Sequence, residues 1–73
     1  MRKIGILIKF GNAVRMRRNG LGWSQEELAD RAGMHRTYIG MIERAEKNIT
    51  LENIEKISRA LEISVSNLMR FKD

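Results

Sequence analysis

QEELADRAGMHRTYIGMIER, residues 25–44, is the stretch that decides the fold. Leu28 and Ala29 give its first half one apolar face, with alanine small where a second helix must cross closely. Met34, Ile39 and Ile42 give the second half its own buried side at helical spacing. Between the halves stands Gly33, where a residue without Cβ adopts positive φ at little cost and lets the chain turn sharply. The outward positions of the second half are Arg36, Thr37, Gly40 and Met41, flanked by His35 and Arg44. The segment thus has an apolar inner face and a mostly polar, cationic outer one.

Two short helices joined by a glycine turn and crossing at roughly 90–120° form a helix-turn-helix, the unit whose second helix enters the major groove of DNA. The flanking sequence supplies its scaffold. Residues 8–21 read as a helix with Phe10, Val14 and Leu21 on one face and Ala13 beside them, ended by Gly20 and Gly22. Arg17 completes that stripe, so its aliphatic stem is expected along the core with its charge in water. Ser24 is placed to cap the next helix, and Glu27, three residues on, to complete a capping box. That helix runs to about Arg31, and the third spans about Arg36–Arg44. Thr50 can cap a fourth helix from Leu51 to Leu61, with the stripe Leu51, Ile54, Ile57 and Leu61. Ser64 can cap a short fifth containing Val65, Leu68 and Met69. Residues 1–7 are either a flexible arm or an extension of the first helix. The expected fold is all-α: one compact five-helix bundle over 1–73, with the helix-turn-helix at about 25–44.

At 73 residues the chain buries only about 60% of its unfolded surface and gains a few kcal/mol from its core. Cysteine is absent, which excludes disulfides, and a lone histidine argues against a structural zinc. Association with a second copy is the remaining common reinforcement. Fourteen Lys and Arg against nine Asp and Glu leave a net charge of +5, which favours a polyanionic partner, nucleic acid ahead of membrane. The early apolar run is interrupted by Lys9, short of the roughly 7–15 residues of a signal-peptide core. No stretch approaches the roughly 18 apolar residues of a membrane span. A cytoplasmic protein without membrane partner is expected. Lacking Cys, a second His or a Gly-rich phosphate loop, the sequence also points to no enzyme, no metal and no cofactor.

With WSQEELADRAG followed by RTYIGMIERAEKNITLENIEKISRAL in place, the chain resembles the phage-repressor (XRE, Cro-like) helix-turn-helix family over about residues 10–70. Within it, RTYIGMIER followed by NITLENI looks most like the controller proteins of restriction–modification systems. The resemblance implies an all-helical five-helix bundle that binds operator DNA as a dimer. It also implies a transcriptional regulator with repression and activation among its roles. Arg17 departs from the family pattern, which usually has an apolar residue there.

Arg36 and Thr37 open the recognition helix and are the candidates for base readout. Arginine donates two parallel bonds to guanine O6 and N7, and threonine offers a hydroxyl and a methyl. Ser24 and Gln25 begin the preceding helix, where an amide and backbone N–H groups can address phosphate; the resemblance gives the matching glutamine that role. His35, Tyr38, Arg44, Lys47 and Asn48 are candidates for backbone or flanking contacts, Lys47 with the alternative of a solvated charge compensated by Glu43 and Glu46. Arg15 and Arg18 are weaker candidates, and Trp23 reads as a core-edge anchor. Mid-helix Gly40, roughly 1 kcal/mol worse than alanine, is explained either by close approach to DNA or by tight helix packing. Glu26 and Asp30 share one face of the second helix, and the resemblance implies a contact to RNA polymerase there. Val65, Met69 and Phe71 are surplus apolar residues for a homodimer interface. Two-fold pairing would let the protein read a pseudo-palindrome. The alternative is an antitoxin or other protein-interaction module. It is disfavoured because the chain shows no partner-binding segment beyond the DNA-binding unit.

Overall fold

Among the described residues there are five helices: α1 Gly5–Gly20, α2 Gln25–Ala32, α3 Arg36–Glu43, α4 Leu51–Ala60 and α5 Val65–Leu68. The computed structural model describes residues 4–71. The helix content and order match the sequence reading, with ends shifted by one residue except at the start of α1. There the helix is already formed at Gly5 behind an extended Ile4, so residues 5–7 extend it; residues 1–3 of the anticipated arm lie outside the described residues.

Each later helix begins on the residue its side chain qualifies for. Ser24, Thr50 and Ser64 accept the backbone N–H of Glu27, Asn53 and Asn67 through their hydroxyls. The capping box at Ser24 is only half made, because the Glu27 carboxylate accepts from Arg31 Nε at 2.7 Å. Gly33 (φ +68°) ends α2 in the left-handed conformation, and the Met34 N–H returns to the Ala29 carbonyl at 2.9 Å. Ala45 and Glu62 do the same after α3 and α4 without being glycine.

Phe10, Val14, Leu28, Ala29, Ile39, Ile42, Ile57, Leu61 and Leu68 form one core. All five helices thereby contribute to a single apolar centre. Leu51, expected in the inner stripe of α4, is instead 79% exposed; it is the first residue of the helix, a turn ahead of the positions that reach the core. Arg17 is half-buried, and its guanidinium, still at the surface, is also held by backbone carbonyls. Its Nε donates to the Leu61 carbonyl at 3.0 Å and its Nη2 to the Glu62 carbonyl at 3.3 Å. The cation thus satisfies orphan carbonyls at the C-terminus of α4, where the helix dipole favours positive charge. The departure from the family pattern is an inter-helix cap.

Candidate nucleic-acid interface

The third helix is held from behind by a buried ion pair. Arg18 on α1 donates from Nε to Glu43 Oε2 at 2.7 Å and from Nη2 to Oε1 at 2.9 Å. Its Nη1 donates to the Trp23 carbonyl at 2.7 Å, and Gln25 Nε2 donates to Glu43 Oε1 at 3.1 Å. The two charged side chains are 11% and 2% exposed. A carboxylate so deeply buried is tolerable because both oxygens are hydrogen-bonded and its charge is matched. The bidentate geometry fixes direction as well as distance. One network therefore ties α1, the turn before α2, the start of α2 and the end of α3. Arg18, a weaker DNA candidate from the sequence, is bound to Glu43, and Glu43 is buried where a solvated counter-charge for Lys47 was expected. The hydrogen bonds to Glu43 hold the Arg18 guanidinium above the ordinary arginine range, against the opposing effect of burial and with the Glu43 charge adding to them. Since the folded value is the raised one, this contribution is lost only as pH climbs through it, and the pair stays formed at any ordinary alkaline pH.

The inward place of Glu43 was legible. Ile39, Ile42 and Glu43 recur at the spacing of one helical face, and all three are buried. The partner was not legible, because Arg18 is 25 residues away.

The opposite face of the helix-turn-helix carries the candidates. Arg36 and Thr37, at the first turn of α3, are both exposed. His35 caps that helix by accepting the Thr37 N–H at Nδ1, 3.2 Å. Across the turn, Glu26 Oε2 lies 3.8 Å from Arg36 Nη1. Gly40, expected to face outward, is buried. A Cβ there would lie 3.0 Å from Arg44 Nη1 and 3.5 Å from Gln25 Oε1, so these two flanking candidates converge over the missing side chain. These contacts are the far ends of flexible polar side chains and not the backbone of a packed helix, so tight helix packing does not account for this glycine. Arg44 also donates from Nε to Glu46 Oε1 at 3.1 Å. Ser24, Lys47 and Asn48 are exposed, and Gln25 is half-buried, donating one of its two amide N–H groups to Glu43.

Tyr38 is half-buried, and its hydroxyl accepts from Asn53 Nδ2 at 3.0 Å. The proton of that hydroxyl remains available to donate. Trp23 is a core-edge residue with the Arg31 guanidinium 4.1 Å above its ring. Of the dimer candidates, Val65 is exposed, whereas Met69 and Phe71 are half-buried against the core. Leu51 is a larger exposed apolar side chain that the stripe reading had assigned inward. Among the described residues no group of three or more His, Cys, Asp or Glu could hold a metal, and no helix is long and apolar enough to cross a membrane.

This arrangement recurs in known proteins. Residues 14–68 match the helix-turn-helix family model. The control protein C.BamHI of Bacillus amyloliquefaciens is 46% identical over 67 residues, which is 90% of this chain and 83% of the relative. The crystal structure of the restriction–modification controller protein C.AhdI from Aeromonas hydrophila superimposes with a TM-score of 0.83 at 44% identity, covering 85% of this chain and 94% of that one. The controller protein C.Esp1396I, solved as a tetramer in complex with its natural 35 base-pair operator, superimposes with a TM-score of 0.82 at 30% identity, over 92% of this chain and 97% of that one. The chain belongs to the helix-turn-helix family and, within it, to the control proteins of restriction–modification systems.

Proposed function

We propose that the protein is a non-enzymatic transcriptional regulator that binds a pseudo-palindromic operator as a homodimer and controls a restriction–modification operon. The observation that carries this reading is the first turn of α3. Arg36 and Thr37 stand exposed there, on a helix whose back is locked by Arg18 and Glu43. A base-reading helix needs that combination, because a bidentate contact is lost when the helix rocks. Arg36 is assigned to a guanine and Thr37 to the neighbouring base. Ser24, Gln25, His35, Tyr38, Arg44, Lys47 and Asn48 are assigned to phosphate and flanking contacts. The operator complex of C.Esp1396I supports the same mode of use.

Two copies joined by a two-fold axis would set their recognition helices about 34 Å apart, one turn of B-DNA. Exposed Val65, together with half-buried Met69 and Phe71, is the proposed contact between them, and Leu51 is a further exposed apolar residue. RNA polymerase is the proposed further partner, met chiefly by exposed Asp30, which shares a face of α2 with Glu26. Selection of random duplexes on the purified protein is expected to return a consensus with two inverted half-sites. Recovery of an asymmetric site would reject the two-fold dimer, and recovery of no consensus would reject sequence-specific binding.

A further inference from the structure

We infer that Glu26 is a specificity-determining residue. By pairing with Arg36 it orients the guanidinium toward a single base edge and withholds it from phosphate. The inference rests on Arg36 being the base reader. Glu26 is the second residue of α2, behind the cap Ser24, and its carboxylate lies 3.8 Å from Arg36 Nη1 across the turn. Both side chains are 69% exposed, so the pair contributes little to folding. Its value arises when α3 is in the groove. Water is then displaced, and the same separation carries a stronger attraction than it does in solvent.

Arginine has five N–H donors in one plane, and a guanine contact needs two of them parallel. With one Nη1 edge drawn toward Glu26, the side chain keeps fewer orientations, and those bonding a nearby phosphate lose the most. A second effect works in the same direction. The N-terminus of α2 is a positive helix end that would attract phosphate without regard to sequence. A carboxylate in its first turn opposes that attraction. Glu26 therefore lowers binding to any DNA while favouring the one geometry that reads a base, which is how discrimination is built by penalising the wrong partner. Asp30, one turn further along α2, has the same charge, but among the described ion pairs Arg36 is matched with Glu26 and not with Asp30. It serves as the internal control.

The test compares Glu26→Gln, Asp30→Asn and Arg36→Ala with the parent protein. Affinities are measured at one fixed salt concentration for three duplexes: the selected operator, the operator with the guanine assigned to Arg36 replaced by adenine, and an unrelated duplex. Glu26→Gln should bind the unrelated duplex more tightly and lose about fivefold in guanine-over-adenine preference, equivalent to about 1 kcal/mol. Its thermal unfolding midpoint should stay at the parent value, which a merely structural role would not allow. Asp30→Asn should raise affinity for all three duplexes and leave the preference intact. If Arg36→Ala abolishes the preference while Glu26→Gln retains it, the role given to Glu26 is wrong and the base-reading assignment stands. If Arg36→Ala also retains the preference, the base-reading assignment fails and the inference fails with it.

Discussion

Replacing Arg18 with methionine should cost about 3–5 kcal/mol of folding free energy, the loss that follows removal of one partner from a buried ion pair. Glu43, 2% exposed, would lose both guanidinium bonds and keep the neutral Gln25 amide as a partner. A domain of 73 residues has a total stability of only a few kcal/mol, so the variant should be largely unfolded at 25 °C. Urea titration followed by circular dichroism reads this directly. The second arm is the double substitution Arg18→Met with Glu43→Leu. An apolar pair of similar volume needs no counter-charge, so most of the lost stability should return. A single variant that unfolds at the parent midpoint would show that the pair does not lock α3 to α1. The double variant carries a functional consequence as well. It would fold but hold the end of α3 less rigidly, and base discrimination should fall more than overall DNA affinity.

Gly11→Ala should also destabilise strongly, against the local preference of the helix. In an exposed helix interior this exchange gains roughly 1 kcal/mol. Here the added Cβ would lie 2.5 Å from the Ile42 carbonyl oxygen and 2.9 Å from that of Glu43. Both are backbone atoms of α3 and cannot rotate aside, so α1 and α3 must separate. Overpacking of this kind costs about 1–3 kcal/mol and sometimes more, and it displaces the recognition helix relative to the rest of the domain. Gly5→Ala, in the same helix with nothing within 4 Å of the new atom, is the matched control and should be neutral or stabilising. A Gly11→Ala protein as stable as the parent would mean that the α1–α3 approach is looser than the structure has it.

These two residues mark the boundary of what the sequence makes legible. The five helices could be read because each is announced locally, by Ser24, Thr50 and Ser64 at their caps, by Gly33 at the turn and by apolar residues at helical spacing. Candidate base readers followed from position alone, since Arg36 and Thr37 open the second helix of the motif. Gly11 carries no such sign. Its requirement comes from a helix that crosses it some thirty residues later in the chain. The Arg18–Glu43 pair is also non-local, and from the sequence Arg18 looked like one more cation on a basic surface. Leu51 failed for a different reason. Helical spacing places it in the stripe, but the first residue of α4 extends past the core it was assigned to. Gly40 was misplaced outward because its cover comes from Gln25 and Arg44, long polar side chains that periodicity does not rank as packing residues.

The central claim is that α3 reads bases through Arg36, and duplex selection repeated on Arg36→Ala tests it most directly. The parent consensus should contain one guanine per half-site that disappears from the variant consensus. The other positions should be retained, with a loss of about 1–3 kcal/mol at each contact. A variant that selects the same consensus as the parent, position for position, would contradict it.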